Sequence, residues 1–210
     1  MRLFVRRVRV VSITADRQYA ADISFGPGLN ILRAANSSGK TTIVNSILFA
    51  LGMEGMLGPG QQRPLKSCMY QVIADADGEH PVLESYVMVE LENDRGEKLT
   101  TRRNAHGGHV SPNLVRVWDG WALTDAAGQP RDTYANVEGS ATRESGFHRQ
   151  LEAFIGWDLP EVTRYDGRPV KLYMQLLFPF LFVEQKLWLV IRAGKRPAVL
   201  PGSRSRPPRV

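Results

Sequence analysis

An α/β fold is predicted by three features of this 210-residue chain. Two alternating stretches near the start read as half-buried strands. A polar loop carrying Gly39-Lys40-Thr41 follows them. From Lys40 onward the apolar period then switches from two residues to the helical three and four.

The elements follow in order. Residues 4–12 alternate between Val and Arg, a strand with one wet face. Tyr19, Ala21, Ile23 and Phe25 alternate with Ala20, Asp22 and Ser24 as a second, and Gly26-Pro27-Gly28 makes a turn. Leu29 to Arg33 are expected as a short buried strand leading into the loop. Ile43, Val44, Ile47, Leu48 and Leu51 then fall at helical spacing and Gly52 supplies the stop.

Residues Met53 to Leu65 are rich in Gly, Pro and Gln and read as an exposed excursion. Val82–Leu91 and Lys98–Arg103 are expected to form a hairpin around Asp94-Arg95-Gly96. Asn104 to Asn113 reads as a loop, Leu114 to Trp118 as a strand, and Thr124 to Thr142 as poorly patterned. Phe147, Leu151, Phe154 and Ile155 mark a helix that Ser145 would cap, with His148 at the capping-box position and Gly156 at its end. Val162–Tyr165 and Val170–Leu172 should pair around Asp166-Gly167. Leu176 to Val183 is strongly apolar.

Residues Ala34, Ala35, Asn36, Ser37, Ser38, Gly39, Lys40 and Thr41 fill the pattern G-x-x-x-x-G-K-[ST], with Ala34 in place of the first glycine. The chemistry of the pattern is specific. Main-chain N–H groups from about Asn36 to Thr41 turn inward around a phosphate, and the following helix adds its positive end. Gly39 permits close approach, Lys40 reaches the β- and γ-phosphates, the Thr41 hydroxyl holds Mg²⁺ and Thr42 touches the α-phosphate. Ala34 fits without strain if its φ is negative. The expected nucleotide-binding residues are therefore Ala35, Asn36, Ser37, Ser38, Gly39, Lys40, Thr41 and Thr42. The expected cofactors are ATP and Mg²⁺, and Lys40 is the catalytic cation.

The stretch Ile23 to Gly52, reading ISFGPGLNILRAANSSGKTTIVNSILFALG, resembles the start of the head domain of ATPases of the structural-maintenance-of-chromosomes and double-strand-break-repair family. The resemblance implies an ABC-ATPase-like head, here its amino-terminal lobe, with mixed and antiparallel sheet. Phe180 to Lys186, reading FLFVEQK, is similar to the family's Q-loop. That likeness gives Gln185 a place beside Mg²⁺ or the attacking water, as metal-contacting and catalytic residue. Arg17 lies where the family often carries a phosphate-contacting arginine, although a plain surface arginine fits equally.

Two parts of such a head are missing from the sequence: a strand ending in Asp-Glu and a serine-glycine signature loop. Both belong to the carboxy-terminal half of the head. By this resemblance the partners are that half, a second head for dimerisation, and DNA through the full-length protein. Hydrolysis by this chain alone is not expected. A decayed remnant or plain nucleotide-binding module, and the ATPase subunit of an ABC transporter, are the alternatives. The roughly 145 residues between Lys40 and Gln185 are long for the transporter class.

The charge is unevenly spread. Of the net +6, seven basic residues and no acidic ones fall between Lys186 and Val210, so the body is nearly neutral. Pro197, Pro201, Pro207 and Pro208 add to a composition that cannot build a core. The expected organisation is a lobe at 1–186 and a disordered basic tail at 187–210, which breaks from the preceding pattern as an out-of-frame product would. No continuous apolar run supports a signal peptide. The Leu172–Ile191 stretch is interrupted by Glu184-Gln185-Lys186, against a membrane span. The single Cys68 excludes an internal disulfide and fits a cytoplasmic location. Cys68 as a nucleophile and Asp75-Ala76-Asp77-Gly78 as a calcium loop lack the required companions, and His106-Gly107-Gly108-His109 reads as a polar loop ahead of a zinc site.

Overall fold

The alternating segments pair into one six-stranded antiparallel sheet in the order β2-β1-β5-β6-β7-β8. Its strands are β1 (Leu3–Ile13), β2 (Gln18–Ser24), β5 (Glu84–Asn93), β6 (Lys98–His106), β7 (Leu114–Asp119) and β8 (Arg131–Tyr134). Small hairpins stand beside it: β3 (Val72–Asp75) with β4 (Gly78–Pro81), and β9 (Glu161–Thr163) with β10 (Pro169–Lys171). The helices are α1 (Lys40–Ala50), α2 (Phe147–Ile155) and the single turn α3 (Met174–Leu177). The computed structural model describes residues 2–36, 39–57, 64–125 and 128–177, with backbone only at 56 and 57. Met1–Leu176 form one compact unit and Leu177–Val210 a second, of which only Leu177 is described. The tail and the segment 180–186 therefore lie outside the described residues.

Period-two alternation assigns the sheet's faces. Val8, Val10 and Ser12 point one way and pair with Val89, Val87 and Ser85 across the ladder. Val8, Val87 and Val89 are fully buried, and α1 packs on this side with Ile43, Leu48 and Phe49. Burying a side chain such as Leu48 or Phe49 is worth about 1.5–3 kcal/mol. The other face carries Arg7, Arg9 and Asp22 in an ion-pair cluster. Buried Glu90 lies there too, accepting the N–H groups of Leu123 and Thr124 and the Thr124 hydroxyl.

Helix α1 ends as the sequence requires. Gly52 N–H reaches Phe49 O at 3.0 Å and Met53 N–H reaches Leu48 O at 2.8 Å, a Schellman closure. Gly52 sits at φ 67°, and a Cβ there would meet His148 Nε2 at 2.7 Å. Both features exclude a larger residue.

Several expectations are corrected. Leu29–Arg33 is not a strand: Leu29 is 88% and Ile31 80% exposed. The Asn30 side chain explains this locally. It accepts the Gly26 N–H and donates to Gly26 O and Gly28 O, folding the segment on itself. No described strand runs alongside to offer a ladder. Among the described residues the ladders of the sheet are antiparallel, and Tyr134 and Gly146 add a parallel bridge. Part of Met53–Leu65 is core and not excursion, since Met53 is fully buried and Leu65 nearly so. Strand β8 arises in the stretch that showed no pattern. Helix α2 starts from Gly146 without a side-chain cap, so Ser145 does not cap it, whereas Gly156 ends it at φ 78° as expected.

His148, expected near a cap, is instead buried between elements. Its Nε2 faces Gly52 O at 3.1 Å and its Nδ1 faces Ser140 Oγ at 3.2 Å. Among the described residues no helix is long and apolar enough to cross a membrane.

Candidate functional site: the loop before α1

The loop before α1 delivers its cation and its helix start to the same place. Gly39 is the residue before the helix, at φ 87° and ψ 5°, and no side chain caps the helix. The first-turn N–H groups of a helix have no acceptor within it and carry the positive end of its dipole. Here that end faces the loop, and its N-cap residue, Gly39, has no side chain to cap it.

A Cβ built on Gly39 would meet nothing within 4 Å. The glycine is therefore demanded by its left-handed backbone and not by crowding, and the space beside it is open to a ligand. Ala34 has no positive φ, so alanine in place of the pattern's first glycine introduces no left-handed strain.

Lys40 curls back over the loop. Its ammonium donates to Ala34 O at 2.8 Å and to Ala35 O at 2.6 Å. These carbonyls hold the charge at the loop's mouth, where an anion's oxygens could join or replace them. Asn36 and Thr41 are exposed and Thr42 is buried. Of the expected binding residues, Ala35, Asn36, Gly39, Lys40, Thr41 and Thr42 are thus placed around one loop and helix start. Ser37, Ser38 and Gln185 lie outside the described residues.

An apolar cavity of about 320 Å³ adjoins the loop. Gly39, Lys40 and Thr42 line it on one side, and Tyr19, Ala21 and Ile23 of β2 on another. Sequence reasoning assigned those β2 residues to a half-buried strand and not to a site. Their alternation carried the signal, because it sets all three on one face. Cys68 and Met69, also in the lining, could not have been found that way. They arrive through long-range contacts, the Ser12 hydroxyl donating to Cys68 O at 2.8 Å.

Arg17 is occupied. It pairs with Asp16, Asp75 and Asp77 at 3.0, 3.2 and 2.8 Å. Asp75 also accepts the Tyr19 hydroxyl at 2.6 Å and faces His80 at 3.1 Å. The Tyr19 hydrogen bond, followed by the Asp77 N–H, brings its carboxyl down to about 2. The β3–β4 turn that carries Asp75 and Asp77 is therefore an arginine-holding hairpin. Among the described residues no group of three or more His, Cys, Asp or Glu could hold a metal ion.

The loop fits a nucleotide's polyphosphate by its uncapped helix start, its open flank at Gly39 and the Lys40 ammonium held at its mouth. Lys40 and the amides of Gly39 to Thr42 would hold the phosphates, and the Thr41 hydroxyl would ligate Mg²⁺, which neutralises charge on the phosphate oxygens. No curated protein matches the chain. A family model for the AAA domain, however, matches residues 12–150, from the end of β1 into the first turn of α2, with the loop inside it. The chain belongs to the AAA domain family of P-loop ATPases.

Proposed function

We propose that this chain is the Mg·ATP-binding lobe of an ATPase head of the chromosome-maintenance and double-strand-break-repair type. The observation that carries the reading is the meeting of three things at one cavity mouth: the Lys40 ammonium, the uncapped start of α1 and the open side of Gly39. The phosphates take the loop and the adenine takes the apolar space beside Tyr19, Ala21 and Ile23. Thr41 ligates the metal and Thr42 supports the α-phosphate. Gln185 is assigned to the metal or the attacking water on the resemblance of its segment to a Q-loop. The finer assignment, to a head acting on DNA, rests on the likeness across Ile23–Gly52.

Binding and hydrolysis separate in this reading. The chain's own groups orient the phosphates and supply positive charge, whereas among the described residues no group of three or more His, Cys, Asp or Glu could hold a metal ion. Hydrolysis then needs groups from another polypeptide segment.

Isothermal titration with Mg·ATP tests the proposal. Lys40→Ala removes a charge-assisted contact and should weaken binding by about ten-fold or more. Equal affinity in the two proteins would overturn the site. Turnover by the purified chain of about 1 per second or faster, lost in Lys40→Ala, would overturn the separation of binding from hydrolysis.

A further inference from the structure

The β9–β10 hairpin ends in a tip whose chemistry has no use inside the protein. Gly167 N–H bonds Arg164 O and Arg164 N–H bonds Arg168 O, both at 2.9 Å, so Tyr165-Asp166-Gly167 form a three-residue loop. Tyr165 is 100% exposed. Residues 161 to 169 are all exposed.

The register places the charges. Val162 pairs with Val170, and the hydrogen bond between Arg164 and Arg168 continues the ladder by one more opposed pair. Opposed residues share a face, so Val162, Val170, Arg164 and Arg168 lie together on one side. Glu161 pairs with Lys171 on the other side, away from the arginines.

Like charges set directly opposite each other on a hairpin are destabilising. Among the described residues neither Arg164 nor Arg168 forms an ion pair. Asp166, the carboxylate within the turn itself, accepts the main-chain Arg168 N–H at 3.2 Å. Two unneutralised guanidinium groups therefore flank an exposed phenol ring at a protruding turn.

We infer that this tip binds a single-stranded nucleic acid, the Arg164–Arg168 pair taking backbone phosphates while Tyr165 stacks on an unpaired base. The phenol ring selects this partner over a purely acidic surface, because a base offers an aromatic face to stack on and a carboxylate does not. It also selects single strands over duplex, whose bases are already stacked. The inference stands on the hairpin alone and does not depend on nucleotide binding at the α1 loop.

The test is fluorescence anisotropy of a labelled oligothymidylate with the full chain, at several salt concentrations. Every variant keeps the basic residues beyond Lys186, so their contribution cancels in the comparison. Removing two phosphate contacts in Arg164→Ala/Arg168→Ala should reduce the slope of log affinity against log salt by about 1.4. Tyr165→Ala should weaken binding by about ten-fold, whereas Tyr165→Phe, which keeps the ring, should bind as wild type. Duplex of the same length should not distinguish Tyr165→Ala from wild type. An unchanged salt slope in the double variant, or unchanged oligothymidylate affinity in Tyr165→Ala, overturns the inference. So does polyglutamate that competes as well as the oligonucleotide, which would mark an acidic protein as the partner. Far-ultraviolet circular dichroism confirms that each variant is folded.

Discussion

Replacing Glu54 by Gln tests how the far end of α1 is fixed, because the change keeps the side chain's shape and removes its charge. The partner is Arg103, which lies under α1 and is 2% exposed. Its guanidinium donates to both Glu54 oxygens, at 2.9 and 2.6 Å, to Phe49 O at 2.7 Å and to Pro112 O at 2.6 Å, and it stacks over the Phe49 ring at 4.2 Å. Glu54 is itself only 15% exposed, so water screens the pair little. A glutamine there leaves a buried cation with no counter-charge and turns an amide donor toward a donor. Breaking a buried pair on one side costs about 3–5 kcal/mol. For a chain of this size that lowers the melting temperature by roughly 6 to 20 °C. Arg103→Met takes away the cation but leaves the Glu54 carboxylate without its counter-charge and one carbonyl without its partner, so it should cost a similar amount, about 3–5 kcal/mol. That carbonyl is Pro112 O, since Phe49 O keeps the Gly52 N–H and Glu54 keeps the Asn136 amide. The double variant should then fall well short of the sum. Thermal melts followed by circular dichroism measure all three. A Glu54→Gln protein within about 0.5 kcal/mol of wild type would refute the reasoning and mean that water reaches the guanidinium.

Two further predictions follow from local geometry. Burial holds the His148 pKa below its ordinary value, so the unfolded chain takes up the proton at higher pH than the folded one. The stability that neutral His148 contributes is complete above about pH 6.5 and declines as pH falls below it. Thermal melts between neutral and mildly acid pH should therefore fall more steeply for wild type than for His148→Gln, and identical pH dependence would remove His148 as the cause. Gly39→Ala places a Cβ in open space but at φ 87°, so its stability loss is conformational, about 1–2 kcal/mol. Because the same Cβ would enter the loop's open flank, titration should show Mg·ATP affinity falling further than that stability loss accounts for.

The parts of this fold that were legible in sequence are those decided by neighbours along the chain. The alternations of β1 and β2, the turns at Gly96 and Gly167, and the Gly52 and Gly156 helix ends each depend on a few adjacent residues. What could not be read depends on partners far away. Strand β8 forms because Leu114–Val117 offer it a ladder, not because Arg131–Tyr134 alternate strongly. His148 looked like a capping residue because its spacing from Ser145 is right. Its burial against Gly52, 96 residues earlier, is a tertiary fact.

The segment before the loop brings these two kinds of evidence into opposition. Leu29 and Ile31 have the alternation and the apolar character of a buried strand, yet a strand needs a second strand to accept and donate its main-chain groups. Among the described residues none lies beside them, and Asn30 ties the backbone into a local turn instead. Helix α1 shows the same tension on its outer side, where Val44 is 40% exposed although Ile43, Leu48 and Phe49 are buried beneath. The phosphate loop lies between these two exposed apolar stretches. The Asn30 contacts fold the chain just ahead of Ala34 and Ala35. Those two carbonyls are the ones that hold the Lys40 ammonium.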